Sequence, residues 1–124
     1  MPKIAFIFPG QGSQSVGMGK EFFQNFSPAR QTFEEADEAL GFHLSQLCFI
    51  GPESELKLTF NTQPAILTVS VATMRVLFVE TGIRPSLLAG HSLGEYTSLH
   101  AADSLSFLDA VTITRLLGKF MQEA

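Results

Sequence analysis

The chain has 124 residues and a formal net charge of −4, and 45% of its residues are hydrophobic while 16% are charged. This balance excludes an intrinsically disordered chain, because disorder requires low hydrophobicity and high net charge. The chain carries only 8 Lys and Arg residues, too few for a surface that follows a phosphate backbone, so we expect no nucleic-acid partner.

The first half of the chain reads as one strand followed by helices. Residues 3–8 are mostly apolar, which predicts a parallel strand covered on both faces. Two glycines and a proline at 9–14 then predict a loop. Further on, the pattern predicts a helix at about 17–26, a helix from an N-cap at Ser27 to a stop at Gly41, a short helix or turn at 43–50, and a helix that starts at Gly51-Pro52 and carries Leu56 and Phe60.

The longest predicted helix opens at 62–64 and ends near Gly82. It is apolar nearly all round, so we expect it inside the core. Its apolar segment, 65–79, falls short of the roughly 20 residues that a membrane span needs. The N-terminal apolar run is too short for a signal peptide. We therefore expect a soluble, cytoplasmic protein without a membrane partner.

The second half adds one more strand. Residues 86–90 predict a second buried strand, residues 93–102 a helix, and a capping box with Asp in place of Glu at 106–109 opens a final helix to the terminus. Two buried parallel strands do not make a sheet, since sheets usually hold about four to six strands. We therefore expect the chain to be a piece of a longer protein.

The single cysteine, Cys48, lies in an apolar run. It excludes an intrachain disulfide, which is compatible with a reducing compartment. Because free cysteine is among the most buried residue types, we predict a packing role for it.

The sequence GHSLG at 90–94 lies between a predicted strand and a predicted helix, the context of a nucleophile elbow. Ser92 would sit on a tight turn with its hydroxyl projecting from the sheet, while Gly90 and Gly94 let strand and helix approach closely. The following helix N-terminus favours developing negative charge, and the backbone N–H of Leu93 is a natural oxyanion donor. The structural alternative is a strand-to-helix turn with a serine cap.

A second loop of interest is PGQGSQ at 9–14, after the first strand. Phosphate-binding loops also follow strands, but neither the Walker nor the dinucleotide glycine pattern is present. The loop could instead bring a backbone N–H toward Ser92, and the spacing alone leaves this open.

Four motifs occur in one order: FPGQGSQ at 8–14, QPA at 63–65, GHSLGEY at 90–96 and GKFMQEA at 118–124. Over the whole chain they resemble the malonyl-CoA:acyl carrier protein transacylase family, the acyl-loading enzymes of type II fatty acid synthesis. The resemblance implies an α/β fold: part of an α/β-hydrolase-like acyltransferase core with a short parallel sheet, helix-rich and incomplete. Residues 1–124 would be the N-terminal part of the large subdomain, and the ferredoxin-like small subdomain and the remaining strands would be absent.

The resemblance also implies a mechanism. Ser92 would attack the thioester of malonyl-CoA and hold the malonyl group as an ester, and the phosphopantetheine thiol of acyl carrier protein would then take it. The backbone N–H groups of Gln11 and Leu93 would form the oxyanion hole, and His91 would contact the substrate. No cofactor and no metal is expected.

The family takes its catalytic base from a histidine beyond residue 124. A base must come within about 3 Å of the hydroxyl or act through one water. On a sharp turn the side chain of His91 diverges from Ser92, His100 lies about 12 Å further along a helix, and His43 has no evident route. We therefore expect structural or surface roles for all three.

Two further positions depart from the family. Leu117 stands where the family has an arginine that grips the malonyl carboxylate, a contact that leucine cannot imitate. Arg115 lies roughly 200° around the helix from that position, so we expect it to be a solvated surface charge. Asp103 stands where the family usually has glycine, and Asp tolerates left-handed backbone angles better than most residues.

Three other hypotheses remain open. Leu117 would suit an acyltransferase selective for a non-malonyl acyl group. The lack of a base, of a carboxylate clamp and of most of a sheet would suit a non-catalytic truncated fragment or pseudoenzyme. A general serine esterase shares the elbow but does not account for the loop at 9–14. We expect these 124 residues alone to be weakly active or inactive.

Overall fold

The structure is a computed structural model and describes residues 3–124. Within these residues it is helix-rich and has one short sheet. The elements are β1 (Ala5–Phe8), α1 (Lys20–Asn25), α2 (Ser27–Leu40), α3 (Leu44–Ile50), α4 (Glu53–Leu56), α5 (Thr59–Thr81), β2 (Leu87–Gly90), α6 (Gly94–Ala101) and α7 (Phe107–Glu123).

The sheet consists of β1 and β2, which pair in parallel with Ala5 opposite Leu87 and Phe8 opposite Gly90. Both predicted strands are therefore confirmed, although each begins one or two residues later than expected. The expectation that both faces are covered is wrong for the residues described, because Ile7 is 77% exposed and Leu87 67% exposed. The sheet thus presents apolar side chains that 3–124 leaves uncovered.

The core is built around α5, which packs between α2 and α7. This helix has 23 residues and an apolar stretch of mean hydropathy 1.4, so by length and composition it could cross a membrane. However, 61% of that stretch is buried inside the fold, which accounts for its apolar character. The prediction of a long core helix is confirmed.

The start of α5 differs from the prediction. The helix begins at Thr59, so Phe60 belongs to α5 rather than to the short α4, and Pro64 lies inside the helix rather than at its first turn. Proline has no N–H, so the carbonyl of Phe60 loses the donor that a helix normally supplies four residues later.

Arg115 of α7 supplies the missing donor. Its Nη1 donates to the Phe60 carbonyl oxygen at 2.9 Å and also to Asn61 Oδ1. The guanidinium carbon lies 4.8 Å from the ring centroids of both Phe42 and Phe60. Burial lowers the pKa of this guanidinium from its usual value. The expectation of a solvated surface charge at Arg115 is therefore wrong.

Several helix ends differ in detail from the predictions. Ser27 is the first residue of α2 and Phe26 occupies the N-cap, so the predicted serine cap is wrong, whereas Gly41 ends the helix with a φ of 76° as expected. Helix α1 begins only at Lys20, after turns in which Gly17 and Gly19 have positive φ. At the start of α7 half of the predicted capping box is present: Ser106 Oγ accepts from the Asp109 N–H at 3.1 Å, but within 3–124 the Ser106 N–H makes no bond to the Asp109 carboxylate.

Candidate active site

The turn at 91–93 joins the end of β2 to the start of α6, so the predicted strand–turn–helix context is present. Ser92 has a φ of 55°, in the left-handed region that residues with a side chain rarely adopt. The turn is closed by Gly94 N–H donating to the His91 carbonyl and Glu95 N–H donating to the Ser92 carbonyl, both at 2.9 Å. Ser92 is exposed, whereas the side chain of Leu93 is buried.

Glycine is required on both sides of this turn by the closeness of the backbone. A Cβ on Gly90 would lie 2.0 Å from the carbonyl carbon of Gly94, and a Cβ on Gly94 would lie 2.2 Å from the Phe8 carbonyl oxygen. Both clashes are with backbone, which cannot move aside as a flexible side chain could. The strand and the helix therefore touch at a distance that only glycine allows.

The loop after β1 lies beside the Ser92 turn. The His91 N–H donates to the Phe8 carbonyl at 3.1 Å, and a Cβ on Gly10 would lie 2.4 Å from the His91 carbonyl oxygen. Both segments follow the carboxyl ends of parallel strands, where open α/β sheets bind their ligands. The structure therefore brings together the two segments that sequence analysis singled out separately, 9–14 and 90–94.

Several backbone donors in these segments have no protein acceptor among residues 3–124. The N–H groups of Gln11 and Leu93, which sequence analysis named, are two of them, and those of Gly10, Gln14 and Ser92 are others. A free N–H near a serine can bind the oxygen of a carbonyl that acquires negative charge.

The histidines of the chain make contacts other than with Ser92. His100 Nδ1 lies 2.8 Å from the Leu105 carbonyl oxygen, and the mostly exposed His43 lies 3.6 Å from Asp37 Oδ2. Within the described part of the chain, no histidine hydrogen-bonds to the Ser92 hydroxyl. Residues 3–124 therefore supply a positioned serine but no histidine that could act as its base.

Gln63 contacts the loop at 9–14, and sequence analysis named it only as part of a motif. Its side chain is buried, and its Nε2 donates to Gln11 Oε1 at 2.9 Å. The Gln11 Nε2 in turn donates to Thr59 Oγ1 at 3.3 Å. A polar residue immediately before a proline in an otherwise apolar helix was the available signal.

Leu117 lies half-buried on α7 next to Gly118, where α7 contacts the start of α5. A Cβ on Gly118 would come within 2.5 Å of the Phe60 Cα. The guanidinium of Arg115 donates to Phe60 and Asn61, so it does not take the place of the arginine that the resemblance led us to expect at position 117.

Among residues 3–124, neither Cys48 nor the side chains of a type that binds metals form a second reactive or metal-binding site. Burial, and secondarily the charge of Asp37, raises the pKa of the Cys48 thiol to about 12, so it stays protonated at neutral pH and is a poor nucleophile. Among residues 3–124, no three His, Cys, Asp or Glu side chains are grouped to hold a metal ion.

Comparisons with known proteins show the family to which the chain is similar. A family model described as "Acyl transferase domain" matches residues 5–124. The malonyl CoA-acyl carrier protein transacylase of Bacillus subtilis (strain 168) is 56% identical over 124 residues, which cover 100% of this chain and 39% of that protein.

Solved structures of transacylases are also similar to this chain. A malonyl-transacylase in complex with its type II PKS acyl-carrier protein superposes with a TM-score of 0.94 at 48% identity, over 98% of this chain and 40% of that one. The malonyl CoA-acyl carrier protein transacylase from Coxiella burnetii gives 0.95 at 43% identity, over 98% and 38%. The chain thus spans about two fifths of the length of the relatives it matches.

Proposed function

This chain belongs to the acyl transferase domain family, and from that membership we propose that the protein containing it moves a malonyl group from malonyl-CoA to the phosphopantetheine thiol of acyl carrier protein. The observation that carries the proposal is Ser92, held at a φ of 55° between β2 and α6. The relatives named as malonyl CoA-acyl carrier protein transacylases support the choice of substrates. The pathway would be the synthesis of fatty acids or polyketides.

In this proposal the turn at 91–93 is a nucleophile elbow on an α/β-hydrolase-like core. The Ser92 Oγ attacks the thioester carbonyl carbon, and its proton passes to a base. The carbonyl oxygen becomes an oxyanion, which the N–H groups of Gln11 and Leu93 and the N-terminus of α6 stabilise. When the carbonyl reforms, the C–S bond breaks and the base protonates the departing CoA thiolate. Attack by the carrier-protein thiol on the seryl ester reverses these steps.

The base and the rest of the sheet would come from the remaining part of the protein. We assign residues 1–124 to the N-terminal part of the large acyltransferase subdomain, with a ferredoxin-like subdomain and further strands elsewhere. The exposed side chains of Ile7 and Leu87 support this assignment, because they lie on one face of the sheet, which further elements packed on that face would cover. The whole protein would be soluble and cytoplasmic, and residues 1–124 alone would transfer little or no acyl group.

Leu117 favours a second candidate, in which the same chemistry serves a non-malonyl acyl group. The carboxylate of a malonyl group calls for a charge-assisted partner, and Leu117 offers only apolar surface. Arg115, two residues away, donates to Phe60 and Asn61 instead. In either case His91, exposed beside Ser92, would contact the acyl group.

The test is the intact mass of the full-length protein after incubation with malonyl-CoA or with acetyl-CoA. We expect one malonyl adduct on the wild-type protein and on Ser86→Ala, which alters the residue before β2 at the end away from the turn, and none on Ser92→Ala. An adduct with acetyl-CoA but not with malonyl-CoA would favour the second candidate. A folded wild-type protein that forms neither adduct would contradict the proposal.

A further inference from the structure

We propose that Gln63 is a positioning residue, which orients the backbone N–H of Gln11 by holding the Gln11 side chain against α5. This inference rests on the proposed function, in which that N–H stabilises the oxyanion. Gln63 itself is placed in contact with Gln11 rather than with the substrate.

The geometry is a clamp with two arms. Thr59 and Gln63 are four residues apart on α5 and therefore share one face of the helix. Gln63 Nε2 bonds to Gln11 Oε1 at 2.9 Å, and Thr59 Oγ1 accepts from Gln11 Nε2 at 3.3 Å. Both polar atoms of the Gln11 carboxamide are thus held, although Gln11 itself is exposed in the loop after β1.

The part of α5 that forms the clamp is itself packed against α7. The Thr59 N–H donates to Gln122 Oε1 of α7 at 3.0 Å, and Gly118 brings α7 against the Phe60 backbone with no room for a Cβ. The loop at 9–14 otherwise makes short local bonds, such as Gly12 N–H to Gln14 Oε1 at 2.7 Å. Gly10 fixes the start of the loop against the His91 carbonyl, and the Gln11 side chain is tied to the core by the clamp on α5.

The fold itself gains little from a glutamine here. Gln63 is 1% exposed, and its Oε1 has no partner among residues 3–124. An unpaired buried amide oxygen is costly, and an apolar side chain of similar length would fill the same space without that cost. The carboxamide is therefore explained by its bond to Gln11 rather than by the packing of the core.

The first experiment replaces the carboxamide in the full-length protein. We expect Gln63→Leu to lower the rate of seryl-ester formation from malonyl-CoA, and kcat with it, about 10- to 100-fold, because a misplaced oxyanion donor costs this much or more. The KM for malonyl-CoA should change less than about threefold and the melting temperature should not fall, since leucine keeps the volume. The matched control is Thr114→Val, a buried polar-to-apolar change on α7, which should leave both rates unchanged.

The second experiment tests whether Gln63 acts through Gln11. Gln11→Ala keeps the backbone N–H but removes the clamped side chain, so Gln63→Leu should cause less than a twofold further loss on that background. If Gln63→Leu does not fold, Gln63→Met, which keeps the unbranched length and removes the amide donor, takes its place in the cycle. Multiplicative losses, or an unchanged rate in the single Gln63 variant, would overturn the inference. Absence of any ester on the wild-type protein would instead contradict the proposed function.

Discussion

Replacing Arg115 by leucine should destabilise the protein by about 2–4 kcal/mol. The Phe60 carbonyl has no helical donor because Pro64 follows four residues later, and Arg115 Nη1 fills that gap at 2.9 Å. A hydrogen bond from a charged group contributes about 1.5–3 kcal/mol. The contacts with Phe42 and Phe60, each 4.8 Å from the guanidinium carbon, add about 0.5–1 kcal/mol each, and the terms are not fully additive.

The assay is urea denaturation of the full-length protein, with Pro64→Ala as a second mutation. Alanine restores an N–H that can bond to the Phe60 carbonyl, so Arg115→Leu should cost at least about 1 kcal/mol less on the Pro64→Ala background. The stability of Arg115→Lys should lie between those of the wild type and of Arg115→Leu, since an ammonium lacks the planar fork of a guanidinium. Arg30→Leu is the control, because the Arg30 side chain has no hydrogen-bond or ion-pair partner among residues 3–124; it should change stability by less than about 0.5 kcal/mol. An equal cost of Arg115→Leu on both backgrounds would refute this reasoning.

Two further predictions concern the turn and the buried thiol. Gly94→Ala places a Cβ 2.2 Å from the Phe8 carbonyl oxygen, so it should abolish ester formation on Ser92 and lower the melting temperature. The control, Gly82→Ala, has open space around it, so it should lower the free energy of unfolding by only about 1–2 kcal/mol and still form the ester. Cys48 should resist alkylation at pH 8 until the protein is unfolded in urea. Folding raises the pKa of this thiol from 9.0 to about 12, so the unfolded state loses the thiol proton at lower pH. The free energy of unfolding should therefore fall as pH rises between these values. Rapid alkylation of the folded protein would contradict both the protection of the thiol and this pH dependence.

The parts of the fold that follow from local pattern could be predicted. The turn at Ser92 is flanked by a strand and a helix, as the residues around GHSLG indicate, and the apolar helix before Gly82 lies in the core. Each depends on periodicity or on turn residues close in sequence, which a single sequence displays directly.

The parts of the fold that depend on contacts between residues distant in sequence could not be predicted. Pro64 indicates a first helical turn, yet it lies within α5 because Arg115, some 50 residues later, supplies the donor that it removes. The same holds for Gln63, whose partner Gln11 is distant in sequence. The exposure of Ile7 could not be predicted either, because a run of apolar residues does not show which elements pack against it.

The pairing of β1 with β2 has a consequence for the order of folding. Ala5 aligns with Leu87, so the sheet closes a loop of about 80 residues, at an entropic cost on the order of 4 kcal/mol. The intervening helices are local and can form and pack while the ribosome is still adding residues, whereas the first strand must wait for its partner. Ser92 comes directly after that partner. We therefore expect a nascent chain to assemble helices α1 to α5 before Ser92 acquires its strained geometry, whereas α7, which follows Ser92 in the chain, completes the core afterwards.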